Sequence, residues 1–237
     1  VLGNIMNISL NTQALGLENQ LGKSILASFH GVWSMAGFTG AGVGAGLIFL
    51  RFSPAAHYVI VALLSVVLIL LSQKFVINDK PAPGEEGGLV LRKPDALLLR
   101  VGLISFLGMM AEGCMFDWSG VYFKKIVEAE PQYVSLGYVC FMGAMASGRF
   151  VTDKASNRFG KVPVLQISGL LIFFGLLLSV VFPNLFTAAI GFLMVGAGVA
   201  SIVPVSYGIA GRSKLYSPSV ALALVSTISF FGFLVGP

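Results

Sequence analysis

The sequence predicts an all-α membrane protein, a bundle of helices that cross a bilayer one after another. Three observations carry this. Hydrophobic residues make up 56% of the 237-residue chain and charged residues only 11%, against about 25% charged in soluble domains. Apolar runs of about 20 residues recur, the length that spans roughly 30 Å of hydrocarbon. The few charges gather in short stretches between those runs. A chain so poor in charge cannot cover a soluble surface. Its formal net charge of +5 is explained by basic loops at one membrane face, and no nucleic-acid partner is expected.

Eight apolar segments follow in order. Val1–Leu17 ends a helix, Glu18–Lys23 is a polar turn, and Ser24–Leu50 spans. Arg51–Pro54 turns the chain, and Ala55–Val76 spans again. Ile77–Asp95, "INDKPAPGEEGGLVLRKPD", is a linker rich in Pro, Gly and charge. Ala96–Phe123 spans, Lys124–Gln132 is polar, and Tyr133–Thr152 spans up to a basic interruption, Gly148–Lys161, "GRFVTDKASNRFGK". Val162–Phe182 and Leu185–Ala210 form a hairpin about Pro183–Asn184, and Val220–Pro237 begins a last helix. The first and last segments read as incomplete, so the expectation is a bundle truncated at both ends.

Charge orients the threading. With Gly148–Lys161 in the cytoplasm, the opposite side holds only Arg51, Lys124 and Lys125 of the 15 Lys and Arg. That asymmetry is what the positive-inside rule requires. Arg149, Lys154, Arg158 and Lys161 count here as charges of the cytoplasmic loop.

Polar residues inside spans are the candidate site. Asn4, Asn7 and Asn11 recur at helical spacing and line one face. Amides at membrane depth must find partners, in neighbouring helices or in a polar cavity. His30 and Trp33 share a face of the next segment. His30 has no second ligand beside it, so no metal site is expected. "GAGVGA" fits a loose dinucleotide pattern but lies inside a span, where no phosphate could meet a helix start. Glu112 lies about 24 Å into its segment at 1.5 Å per residue, with Asp117 nearer the end beside Trp118 and Tyr122. A charge at mid-bilayer costs roughly 2.5–3.5 kcal/mol on insertion scales. Glu112 therefore needs a polar partner or acts as a proton carrier. Cys114 and Cys140 sit in apolar context as packing residues.

The threading, the linker and the basic stretch resemble the major facilitator superfamily, whose loop motif runs roughly G-x-x-x-D-R-x-G-R-K. Gly148, Asp153, Arg158, Gly160 and Lys161 stand in that order, with a longer Asp-to-Arg spacing. "FHGVWSMAG", "AEGCMFDWSGVYF" and "GRFVTDKASNRFGKVPVL" resemble a bacterial branch near the fucose permeases. Asn7 stands where such carriers can hold an acid.

The resemblance implies helices four to eleven of twelve. Residues 1–76 are the last three helices of one half, 77–95 the cytoplasmic linker, and 96–237 five helices of the other half. It also implies a secondary transporter of the bacterial inner membrane, a symporter for a small polar solute such as a sugar, working by alternating access. Asn4, Asn7, Asn11, His30, Trp33 and Glu112 would bind the solute, and Glu112 would couple protons. The motif residues would form a conformational latch, with Asp153 in an exposed pair worth about 0–1 kcal/mol. The full-length protein is expected to be a monomer without cofactors. A drug or metabolite exporter, lined by Phe141, Met142 and Met145, is one rival, and a sensor built on a carrier fold another. An enzyme lacks support: His30 and His57 stand apart, and no carboxylates pair at helical spacing.

This threading predicts that a single cysteine replacing Glu128 in the full-length protein reacts with an impermeant thiol reagent in intact cells, and that one replacing Glu85 does not. Labelling at Glu85 without labelling at Glu128 would invert the topology.

Overall fold

The computed structural model describes residues 2–76 and 93–237. Among the described residues eight α-helices account for the apolar segments: α1 (Leu2–Leu21), α2 (Leu26–Phe49), α3 (Pro54–Ser72), α4 (Ala96–Lys125), α5 (Leu136–Phe159), α6 (Lys161–Val181), α7 (Leu185–Ala210) and α8 (Pro218–Val235). Short 3₁₀ turns stand at Gln73–Phe75 and Pro131–Tyr133. Among the described residues six stretches are long and apolar enough to cross a membrane: Ala55–Phe75, Ala96–Lys125, Pro131–Phe159, Lys161–Val181, Leu185–Ala210 and Pro218–Val235. The chain is an all-α, multi-pass membrane bundle. Most of the expected linker, residues 77–92, lies outside the described residues.

Local chemistry sets the helix ends. The Asp95 carboxylate accepts from Leu98 N–H at 2.8 Å and starts α4. Ser53 caps α3 ahead of Pro54, whose missing N–H costs nothing in a first turn. Asn184 accepts from the Phe186 and Thr187 amides, so the Pro183–Asn184 pair both breaks the chain and restarts it as α7.

The basic stretch differs from expectation. It is not a loop from Gly148 onward: α5 runs unbroken through it to Phe159, and only Gly160, at φ +90°, stops the helix before α6 begins. Nothing between Gly148 and Phe159 breaks a helix, and positive φ is a conformation that glycine adopts without steric cost. At 24 residues, α5 is about 36 Å long and overshoots the hydrocarbon. Polarity there marks depth along the helix and not its end, so Arg149 belongs to the helix and not to a loop.

By contact the chain divides into two compact units, Val1–Gly31 with Leu89–Pro237, and Val32–Gly88. In the first, α7 is the central helix, packed on α4, α5 and α6, while α8 packs on α4 and α1. Small residues bring the backbones together. A Cβ added at Gly198 would lie 2.6 Å from the Ser168 carbonyl oxygen on α6, and one at Gly148 2.9 Å from the Ala200 Cβ on α7. The Ser168 and Ser201 hydroxyls bond to each other across the α6–α7 contact. An aromatic cluster of Phe123, Phe141 and Phe192 fills the space between α4, α5 and α7. In the second unit α3 exposes apolar side chains such as Leu63, Leu68 and Leu71 along its length, as a lipid-facing span does.

Candidate functional site: a mid-helix polar chain and a helix-start clasp

Two polar assemblies stand in the larger unit. The first runs through the middle of the helices. On α1, the Asn11 amide nitrogen donates to the Asn7 carbonyl oxygen at 2.9 Å and to Asn7 Oδ1 at 2.5 Å. A backbone carbonyl only accepts, so that atom is Nδ2 and Asn11 Oδ1 faces away from it. There Oδ1 meets His30 Nε2 of α2 at 3.1 Å, which makes Nε2 the donor. The His30 ring meets Tyr207 edge-on, with centroids 6.4 Å apart. The His30 carbonyl lies 3.4 Å from Arg149 Nη1 on α5. Arg149 Nη2 in turn lies 3.9 Å from Glu112 Oε1 on α4. Amide, imidazole, guanidinium and carboxylate thus form one chain across four helices. Close approach of α2 to α5 depends on Gly31, where a Cβ would lie 2.7 Å from the Phe150 ring.

Of the residues expected to bind solute, Asn7, Asn11, His30 and Glu112 belong to this chain. Asn4 is a position on α1 whose side chain lies outside the described residues. Trp33 falls in the second unit, with 54% of its surface exposed. Arg149 was not expected, because its charge was counted with the loop. Its place about one and a half turns before the Lys154–Arg158 stretch is the signal that could have found it: a helix continued through Gly148 puts Arg149 at mid-span. The exporter lining is differently placed, since Phe141 and Met145 are buried in or beside the aromatic cluster. Cys114 and Cys140 also pack against that cluster, and the Cys114 thiol donates to the Gly236 carbonyl at 2.9 Å.

The second assembly holds the start of α2. The first four N–H groups of any α-helix have no partner within the helix. Here Ile25 and Leu26 N–H donate to Glu18 Oε2 at 3.1 and 3.3 Å. Ala27 N–H donates to Asp153 Oδ1 at 3.1 Å, and Ser28 N–H to Asp153 Oδ2 at 2.6 Å. The next amide, Phe29, already bonds back to the Ile25 carbonyl. One carboxylate from α1 and one from α5 therefore satisfy the whole helix start. Negative charge is favoured at that end of a helix dipole, by up to about 2 kcal/mol in partly buried geometry.

Further contacts tie the clasp down. Asn157 Oδ1 accepts from Ser24 N–H at 2.6 Å, and its Nδ2 donates to the Ser24 carbonyl at 2.9 Å. Glu18 is fully buried. Its other oxygen accepts from Lys161 Nζ at 2.7 Å and faces Arg212 Nη2 at 3.7 Å. Lys161 Nζ also donates to the Gly208 carbonyl at 3.0 Å.

The expected exposed pairing of Asp153 is thus replaced by another arrangement. Asp153 is 6% exposed and faces backbone amides, while Arg158 is exposed and lies over the Phe159 ring, 5.3 Å from its centroid. Helical spacing explains the difference: residues 153 and 158 are five apart and point to different faces. Gly148 serves the α5–α7 contact, Gly160 the break, and Lys161 the pair with Glu18. Glu18 itself was read as part of a polar turn, since its partner lies 143 residues away.

The fold is a bundle of membrane-spanning helices with charged and amide side chains joined at mid-helix. The chain belongs to the Major Facilitator Superfamily, which it matches over residues 19–237. It is 29% identical over 233 residues to an uncharacterized MFS-type transporter of Yersinia pestis, covering 98% of this chain and 60% of that protein. It is 30% identical to an uncharacterized transporter, y4wD, of Sinorhizobium fredii, covering 98% of this chain and 62% of that one. It is 32% identical to the membrane protein MosC of Rhizobium meliloti, covering 98% and 56%. The chain thus spans about three fifths of the length of these relatives. No solved structure matches it.

The clasp predicts a graded loss of stability. In the full-length protein Glu18→Ala strips two amides and leaves Lys161 without its counter-ion, which costs about 3 kcal/mol or more. Asp153→Asn keeps an acceptor but loses the charge, at about 1–2 kcal/mol. Thermal unfolding in detergent should place Glu18→Ala lowest and Asp153→Asn between it and wild type. Wild-type midpoints for both variants would remove the clasp from the stability of the fold.

Proposed function

We propose that the full-length protein is a secondary active transporter that moves a small polar solute across the bacterial inner membrane by alternating access. The observation that carries this reading is the Glu112–Arg149–His30–Asn11–Asn7 chain. Polar and ionisable groups inside a membrane bundle are costly and mark pathways, and this chain joins α1 and α2 to α4 and α5. Asn7, Asn11, His30 and Glu112 are the proposed solute contacts from the sequence, and Arg149 joins them. Asn4 and Trp33 stay proposed contacts on sequence grounds alone. A branch near the fucose permeases, a monomeric state and symport with protons complete the reading.

Glu112 is the proposed proton carrier. A proton on its carboxylate removes the charge that faces Arg149, so protonation and the state of the polar chain are linked. The clasp is the proposed cytoplasmic latch. It holds together elements that lie before and after the linker in sequence, and rocking of two halves opens it. A shift of about 1.4 kcal/mol in such a two-state balance changes populations tenfold.

Reconstitution of the full-length protein tests this directly. Wild type should accumulate a solute from a panel of sugars, polyols and hydroxy acids against its gradient when a proton gradient is imposed. Glu112→Gln should lose that uphill accumulation while counterflow of the same solute persists. Full uphill uptake in Glu112→Gln would end the proton-carrier role, and no wild-type uptake of any solute would favour the sensor.

A further inference from the structure

The membrane end that holds the clasp carries more positive charge than it neutralises. Among the described residues its carboxylates are Glu18, Asp95 and Asp153, and each is engaged inside the fold. Glu18 and Asp153 accept from the amides of Ile25–Ser28, and Asp95 accepts from the Leu98 amide. Lys161 and Arg212 face the same oxygen, Glu18 Oε1, at 2.7 and 3.7 Å. One carboxylate between two cations leaves a surplus charge. It lies at Arg212, whose side chain is 56% exposed. The Arg212 contact is longer than a hydrogen bond, and among the described residues its guanidinium has no other acceptor. Lys23, Lys93, Lys154, Arg158 and Lys214 are exposed at the same end. Among the described residues none of them belongs to an ion pair.

The loop that carries Arg212 fixes the depth of this charge. Gly211–Ser217 joins the spans α7 and α8 and is folded on itself. Arg212 and Ser213 N–H donate back to the Ile209 and Ala210 carbonyls, and Leu215 N–H donates to Ser213 Oγ. The Tyr216 hydroxyl donates to the Lys93 carbonyl at 2.8 Å and pins the loop to the residues that enter α4. A short folded loop between two spans stays in the headgroup layer, roughly 5–8 Å deep on each side of the hydrocarbon. Leu215 is 67% exposed there, between Lys214 and Tyr216. At that depth an apolar side chain reaches acyl chains while its basic neighbour stays level with the phosphates. Phe159 and Val162 repeat the pattern about Gly160, exposed beside Arg158 and Lys161.

From this charge and this depth, we propose that Arg212 and Lys214 bind the phosphate of an anionic phospholipid, with Leu215 among its acyl chains. The headgroup is a phosphodiester with a net negative charge, as in phosphatidylglycerol. The planar fork of Arg212 suits two phosphate oxygens at once, and Lys214 adds a second charge. A zwitterionic headgroup brings its own cation, which the surplus charge repels. Arg212 then stands between two anions, Glu18 on the inside and the phosphate on the outside, so the lipid adds to the clasp without displacing it. None of this depends on what solute the protein carries, or on whether it carries one.

The test uses the full-length protein in a non-ionic detergent, with dioleoylphosphatidylglycerol or dioleoylphosphatidylcholine titrated into the micelles. The readout is the shift of the unfolding temperature, taken against each variant's own lipid-free midpoint. Phosphatidylglycerol should raise the midpoint where phosphatidylcholine at the same concentration does not. Glycerol 1-phosphate, a phosphate without chains, should give no shift. Arg212→Gln should raise the phosphatidylglycerol needed for half the shift by about tenfold, and Arg212→Lys by less. Lys214→Gln and Leu215→Ser should each raise it by about threefold, and they carry the test if Arg212→Gln fails to fold. Joint replacement of Lys124 and Lys125 by Gln, at the other membrane end, should change nothing. Raising the salt from about 0.05 to about 0.5 M should weaken the response, since the charges are exposed. Equal stabilisation by the two lipids, or by glycerol 1-phosphate, would overturn the proposal. So would wild-type half-saturation in both Arg212→Gln and Lys214→Gln, or an equal loss on replacing Lys124 and Lys125.

Discussion

The start of α2 is the constraint on which the larger unit depends. Four consecutive backbone amides, Ile25 to Ser28, enter a protein interior without partners from their own helix. Water cannot serve them all, because Leu26 and Ala27 are buried. Each buried amide left unmet would cost on the order of 1–3 kcal/mol. Glu18 and Asp153 meet them in pairs, and in doing so join α1, α2 and α5 at one point. Lys161 then compensates Glu18 and draws in the start of α6 and the Gly208 carbonyl of α7. A single unmet helix end thus recruits residues from five helices, which is why the first turn of α2 groups by contact with the helices beyond the linker.

The polar chain deeper in the bundle obeys the same rule with less closure. Asn11 bonds both Asn7 and His30 locally. Arg149 and Glu112 neutralise each other across two helices without closing to hydrogen-bond distance. The difference between a fully engaged carboxylate at Glu18 and a loosely faced one at Glu112 separates, in the proposed mechanism, the residue that holds a state from the residue that changes it. Both assemblies share α2, since His30 stands two residues after Ser28. Movement of the α2 start in the clasp is therefore movement of a member of the polar chain.

Much of the fold was legible, because apolar length and charge asymmetry are properties of short windows. The segment bounds fell within a few residues of the helices for that reason. The basic stretch was misjudged as a loop because polarity follows depth in a bilayer while helicity follows the backbone, and α5 outruns the hydrocarbon. The same confusion hid Arg149, counted as a topogenic charge although it stands opposite Glu112. Asp153 was recognisable as a special residue, but its partners were not. They are backbone amides more than 120 residues away, and no side-chain pattern announces a helix start in need of an anion. Glu18 shows the limit from the other side: in sequence it is one polar residue of a turn, and only the return of α6 makes it the most engaged carboxylate described.

Hydrogen exchange at the four amides of Ile25–Ser28, measured residue by residue in the full-length protein, tests the clasp most directly. The account predicts slow exchange at all four in wild type. In Asp153→Ala it predicts fast exchange at Ala27 and Ser28, with Ile25 and Leu26 still slow on Glu18. Exchange of all four amides at unprotected rates in the wild-type protein would contradict it.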